Sequence, residues 1–176
     1  MLAALLVLAS VGIARSQAQV QARPGETLLV LAVQDKGSVV IRLETAKAPK
    51  TSARIISLAE SGFYNGLAFH RVARRPRPFL VQFGDESTRQ GAASVAKPSS
   101  TIAYEDSGLP NEEGTVGLSA PEGNRDGGDV QFHINLDNNR FLDGSYTVFG
   151  RVTQGMDLVK GLQVGDRVVR ASIVRG

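Results

Sequence analysis

An arginine and a glutamine stand in two short, otherwise largely apolar stretches, Phe69-His70-Arg71-Val72 and Phe79-Leu80-Val81-Gln82-Phe83-Gly84-Asp85. Polar and apolar residues nearly alternate in each, the pattern of a half-buried strand. A guanidinium beside an apolar pocket is costly to dehydrate unless it pairs with something. No carboxylate pair, thiol or metal-ligand set lies nearby in the chain. The chemistry open to this pair is therefore hydrogen bonding to a neutral, partly apolar ligand. A surface arginine and a core-edge glutamine would read the same way, and the rest of the chain has to decide.

The 176 residues are enough for one domain with a sizeable core, and 19 glycines favour a turn-rich β fold. A net charge of +3 is too diffuse for a nucleic-acid surface, and no stacking aromatics interleave with a basic stripe. The chain has no cysteine, which excludes disulfides, thiol catalysis, thiolate metal sites and a lipid anchor on cysteine. With 2 histidines, little room is left for a histidine metal site, and no cofactor is expected. Met1 to Ala14 is almost continuously apolar but short for a membrane span. Ser16-Gln17-Ala18 follows as a small-x-small cleavage pattern, although no basic residue precedes the apolar run. Residues 1–18 are expected to be a signal peptide cleaved near Ala18, or failing that an uncleaved anchor. Residues 19–27 are expected to be a flexible lead-in, and 28–176 the folded domain, exported to the periplasm or beyond.

The elements that would carry Arg71 and Gln82 follow in order. Leu28 to Val33 is apolar and of strand length, Asp35-Lys36-Gly37 turns, and Val39, Ile41 and Leu43 alternate in a hairpin partner. Pro49 opens a helix running to about Glu60, and Gly62 suits its left-handed end. Ala68 to Val72 and Phe79 to Phe83 are strands. The prolines of Arg74-Arg75-Pro76-Arg77-Pro78 make an exposed loop whose charges solvate it. Asp85 to Asn111 is a long irregular excursion, functional or mobile. Gly114 to Ser119, Gln131 to Ile134, Thr147 to Val152 and Val168 to Val174 are further strands, with a short helix from Gly155 to Leu162. The glycine-rich run Pro121 to Asp129 lacks the endings of a phosphate or calcium loop and reads as a plain turn. About eight strands and two helices, without βαβ alternation, give an all-β-dominated expectation: a closed eight-stranded antiparallel barrel capped by two helices.

In this order the motifs resemble the cyclophilins, the cyclosporin-binding peptidyl-prolyl isomerases, from Val39 to Ile173. The resemblance rests on Ala48-Pro49-Lys50-Thr51, Gly62-Phe63-Tyr64-Asn65-Gly66, Phe69-His70-Arg71-Val72, Phe79-Leu80-Val81-Gln82-x-Gly84-Asp85 and Gly114 to Ala120. Gln131-Phe132, Phe141-Leu142-Asp143-Gly144, Val148-Phe149-Gly150-Arg151-Val152 and Gly155-Met156 complete the set. It implies that Arg71 is the catalytic arginine and Gln82 its hydrogen-bonding partner. Phe79, Leu80, Ala120, Gln131, His133, Phe141, Leu142 and Tyr146 are implied to bind substrate. Tyr146 replaces a pocket histidine and Ala120 an asparagine; Phe141 stands where many members have tryptophan. Three departures stand out: a loop after Arg71 about three residues longer than usual, His133 in place of the phenylalanine on the floor of the proline pocket, and Phe83 in place of a glycine, which crowds its strand. His70, next to Arg71 but facing the other way, reads as a satisfied structural histidine.

The implied activity is rotation about Xaa-Pro bonds, assisting the folding of exported proteins, with proline-containing peptides as substrates and cyclosporin-type compounds as candidate inhibitors. A monomer is expected, without nucleic-acid partners and without a membrane span once the leader is removed. The competing function is a low-activity binding module or chaperone for proline-containing segments, which His133 and Phe83 favour. If His133 forms the pocket floor, catalysis should fall as the pH drops through the histidine range.

Overall fold

The computed structural model describes residues 20–91 and 96–176; the expected leader at 1–18 lies outside them. After a turn closed by the Glu26 amide on the Arg23 carbonyl, β1 (Thr27–Val33) and β2 (Gly37–Leu43) form the hairpin expected around Asp35. Helix α1 (Pro49–Glu60) follows, then β3 (Arg71–Ala73), β4 (Leu80–Phe83), β5 (Thr115–Leu118), β6 (Phe132–Asn135) and β7 (Val148–Gln154). Helix α2 (Met156–Gly161) and β8 (Val168–Arg175) close the chain. Every ladder is antiparallel, and the order across the sheet is β3-β4-β6-β5-β7-β2-β1-β8.

The expectation of eight strands and two helices holds, but that of a closed barrel is corrected. The sheet curls without a ladder between its edge strands β3 and β8. Among the described residues the two ends are joined by one isolated bridge, Ala68 to Arg167, with backbone bonds between residues 66–69 and 165–168. This also explains why strand β3 begins at Arg71 rather than at Ala68. The Phe69 amide donates to Asp166 and the Val168 amide to Leu67, so this stretch is committed to the chain before β8 instead of to β4.

Strand alternation sorts the residues into two faces. Leu29, Leu31, Val39, Ile41, Val81, Phe83, Val116, Phe132, Ile134 and Phe149 turn into one core, against which α1 lays Ile55, Leu58 and Ala59. Each fully buried aromatic or aliphatic side chain there contributes about 1.5–3 kcal/mol. Phe83 does not crowd its strand. It is fully buried within 5.5 Å of the Tyr64, Phe69 and Phe132 ring centres, on the face opposite Gln82. Its neighbour Gly84, at φ +105°, turns the chain where a Cβ would meet the Val130 carbonyl oxygen at 2.7 Å.

Helix α1 starts without a cap from its own N-cap residue Ala48. Its first amides are capped from far along the chain: the Glu105 carboxylate accepts from Lys50 N at 2.9 Å and Thr51 N at 2.7 Å, and from Thr51 Oγ1 at 2.6 Å. A carboxylate at this end also meets the positive pole of the helix. The long excursion is thus tied down where the structure describes it, by Glu105 and by Ile102, which bridges to Gly128. The loop after β3 is anchored too, since the Arg74 guanidinium donates to the carbonyls of Lys160 and Leu162 at the end of α2, at 2.6 and 2.7 Å.

Candidate active site

The core-opposed face of β3, β4, β6 and β5 carries one continuous row. Arg71 pairs with Gln82, Gln82 with His133, and His133 with Gly117 across successive ladders. Directly opposed residues of a sheet share a face, so one register places all four side-chain positions side by side. The missing side chain of Gly117 is what makes room for His133. A Cβ built there would lie 2.5 Å from the imidazole Cε1 and 2.6 Å from Nε2.

Over this row lies a cavity of about 450 Å³ lined by Arg71, Phe79, Leu80, Gln82, Ser119, Ala120, Glu122, His133, Leu142 and Tyr146. Eight of the ten residues expected at the site therefore line it. Gln131 does not, but holds one of them: Gln82 Nε2 donates to Gln131 Oε1 at 3.1 Å, leaving the side-chain oxygen Gln82 Oε1 to accept from other groups. An adjoining space of about 370 Å³ is shared by Gln82, Ser119, Ala120 and Gln131. Phe141 also stands outside the lining. It is 65% exposed on the short 3₁₀ turn Arg140–Leu142 and stacks on Phe79 with ring centres 5.8 Å apart and planes at 20°. Arg71 is exposed, with its guanidinium carbon 5.8 Å from the Phe79 ring centre.

His133 is 3% exposed, edge-on to Tyr146 with ring centres 5.5 Å apart, and its Nε2 has no hydrogen-bond partner among the described residues. Burial, and to a lesser degree the nearby Arg71 charge, push its pKa down to about 4. Burial of this ring argues against a loss of activity through the ordinary histidine range. The ring stays neutral down to about pH 4, and a neutral imidazole can serve as a flat apolar floor. The reading of His70 is corrected. It lies outside the cavity as expected, but its Nδ1 is buried without a partner, and burial lowers its pKa against a partial offset from Asp85.

Sequence reasoning missed Ser119 and Glu122 on the cavity wall, and it missed the scaffold beneath. Asn139 Nδ2 donates at 2.8 Å both to the Phe79 carbonyl and to Asn135 Oδ1. Asn135 Nδ2 donates to Asn111 Oδ1 at 3.2 Å, and Asn111 Nδ2 to Asp143 Oδ1 at 3.0 Å. These three buried asparagines, with Asp143 at the surface, tie the β4 entrance to the turn that carries Phe141 and Leu142. The only local signal was the run of amides itself, Asn135 and Asn138-Asn139.

Such a cavity offers a slot for a small ring, a cation at its mouth and an amide beside it. Comparison with known proteins places the chain in a family. The profile described as "Cyclophilin type peptidyl-prolyl cis-trans isomerase/CLD" matches residues 28–174, and the chain belongs to this family. It is a peptidyl-prolyl cis-trans isomerase of the cyclophilin type. A probable peptidyl-prolyl cis-trans isomerase from Brucella suis is 33% identical over 169 residues, covering 84% of this chain and 83% of the relative. Peptidyl-prolyl cis-trans isomerase A of Dickeya dadantii is 35% identical over 144 residues, covering 79% and 70% respectively. The fold is similar to that of a cyclophilin from Hirschia baltica, with a TM-score of 0.68, 22% identity, and coverage of 83% of this chain and 76% of the other. A cyclophilin-type isomerase from Cryptosporidium parvum, solved in the presence of the dipeptide Ala-Pro, gives a TM-score of 0.66 at 19% identity, covering 85% and 98%.

Proposed function

We propose that the cavity above His133 is the prolyl site of this isomerase and that Arg71 and Gln82 perform the catalysis. The observation that carries this reading is the cross-strand row Arg71–Gln82–His133, opening on a cavity of about 450 Å³. Rotation about an Xaa-Pro bond is slow because its C–N bond has partial double-bond character, with a barrier of about 18–20 kcal/mol. No bond to the enzyme and no proton transfer is required; the twisted amide has only to be bound better than either planar form. The proline ring enters against His133, Leu80, Leu142 and Phe79. As the amide twists, its nitrogen becomes pyramidal and gains a localised lone pair, and the Arg71 guanidinium donates toward that nitrogen. Gln82, oriented by Gln131, holds the substrate backbone beside it. A thousandfold acceleration needs about 4 kcal/mol, within reach of one or two charge-assisted hydrogen bonds fixed in advance.

The test is a titration of the labelled protein with an Ala-Pro peptide, followed by amide chemical shifts. Shifts centred on Gln82, Ser119, His133 and Tyr146 are expected; shifts confined to β1, β2 and β8 would contradict the assignment.

The clients are proposed to be exported proteins, met outside the cytoplasm after removal of residues 1–18. The apolar run Met1 to Ala14 and the small residues Ser16 and Ala18 support this. Among the described residues no helix is long and apolar enough to cross a membrane. Sequencing the N-terminus of protein recovered from its host is expected to begin at Gln19. Recovery from the cytosol with Met1 in place would refute export.

A further inference from the structure

The loop between β3 and β4 reaches back to Phe141, which stands just outside the cavity and stacks on its lining residue Phe79. Arg77 Nη1 donates to Asp137 Oδ2 at 3.0 Å, and the Arg77 guanidinium carbon lies 5.7 Å from the Phe141 ring centre. Phe141 stacks on Phe79 at 5.8 Å, and Phe79 lies 5.8 Å from the Arg71 guanidinium carbon. The contacts run Asp137, Arg77, Phe141, Phe79, Arg71 without a gap. Phe141 is 65% exposed and lies outside the buried core; the ring stacks on Phe79 and carries the Arg77 guanidinium over it. The loop is also stiffened at its start, where Arg74 is bonded to the end of α2.

We propose that Arg77 is a positioning residue for catalysis: anchored by Asp137, it clamps Phe141 onto Phe79 and so sets the wall against which Arg71 is aimed. The inference rests on the reading that Arg71 acts on the prolyl amide. A guanidinium over an aromatic ring at an exposed site is a weak contact, so its loss is expected to change the rate severalfold rather than abolish it.

The test is kcat and KM for an Ala-Pro peptide in the full chain, comparing wild type, Arg77→Gln, Phe141→Leu and the double variant, with thermal midpoints measured alongside. Arg77→Gln is expected to lower kcat about two- to fivefold, with KM nearly unchanged and the thermal midpoint held. In the double variant the losses should not multiply, because Arg77 acts through Phe141. Arg77→Lys keeps a cation over the ring and should recover most of the rate, while Arg75→Gln removes the same charge from the same loop and should behave as wild type. A wild-type rate for Arg77→Gln, or losses that multiply in the double variant, would overturn the proposal. So would an effect confined to KM that follows the charge of the peptide, the mark of simple attraction. Arg71→Ala run in parallel separates the levels: if it keeps full activity, the site assignment fails and the clamp with it.

Discussion

His133 gives the most quantitative handle on this site. Its imidazole is buried, lacks a partner for Nε2, and is held at a pKa of about 4 against an ordinary 6.5. A group with a depressed folded pKa contributes stability that is present above the unfolded pKa and lost as pH falls toward the folded one. Above about pH 7 both states are neutral and the histidine adds no pH-dependent cost. Between pH 6.5 and 4 the unfolded chain takes up the proton first. Linkage then gives a loss of about 2 kcal/mol at pH 5 and about 3 kcal/mol at pH 4. The assay is urea unfolding of wild type and His133→Phe at pH 8, 6, 5 and 4, comparing how much each protein loses between pH values. Phenylalanine is larger than histidine and meets the tight contact over Gly117, so its absolute stability can differ. That cost does not depend on pH and cancels in the comparison, as does the titration of His70, common to both proteins. The variant should lose about 2 kcal/mol less than wild type between pH 8 and pH 5. Parallel losses in the two proteins would refute the argument that His133 is buried and neutral. The same reasoning predicts an isomerase rate per folded molecule that is flat from pH 8 to 5 and declines only toward pH 4.

Three further outcomes follow from packing and hydrogen bonding. Gly117→Ala would drive a Cβ to 2.5 Å from the imidazole, so the ring must move. A loss of about 1–3 kcal/mol and weaker peptide binding are expected, with the stability recovered in Gly117→Ala/His133→Ala. Glu105→Gln removes the charge from the cap of α1 and should cost about 1–2 kcal/mol in urea unfolding, with kcat/KM unchanged. Burial pushes the Glu105 carboxyl up, but the bonds from Thr51 and Lys50 outweigh it and hold the pKa below its ordinary value. The difference between wild type and Glu105→Gln should therefore vanish as the pH falls through the carboxylate range. Asn139→Ala strips the Phe79 carbonyl and Asn135 Oδ1 of a buried donor; a loss of about 1–3 kcal/mol with a raised KM is expected, read by unfolding and kinetics together.

What was legible in the sequence is what depends on neighbours along the chain. Helix α1 was readable to its ends because Pro49 presets the first turn and Gly62, at φ +77°, ends the last. Ordered motifs pointed to eight of the residues that line the cavity, but not to Ser119 or Glu122. What depends on register was not. Nothing local says that His133 lies opposite Gly117 rather than one residue away, and with a slip of one it would face the core. The depressed pKa of His133 follows from that burial and was invisible for the same reason. Phe83 was misjudged as crowding because its face could not be assigned without the ladder to β6. The cap on α1 comes from Glu105, in a stretch rich in Ser, Ala and Thr that carries no periodic signal. The open junction of β3 and β8 depends on the turn before β3 pairing with residues 165–168, about a hundred positions distant.

The role proposed for Arg71 is to lower the barrier to Xaa-Pro rotation. Its most direct test is magnetisation-exchange NMR of an Ala-Pro peptide with catalytic amounts of wild type, Arg71→Lys and Arg71→Ala. Exchange well above the uncatalysed rate is expected for wild type. Arg71→Lys should be intermediate because its ammonium keeps the charge but not the planar donor, and Arg71→Ala should fall at least a hundredfold, about 3 kcal/mol of transition-state stabilisation. An Arg71→Ala protein that is folded and still exchanges the peptide at the wild-type rate would contradict it.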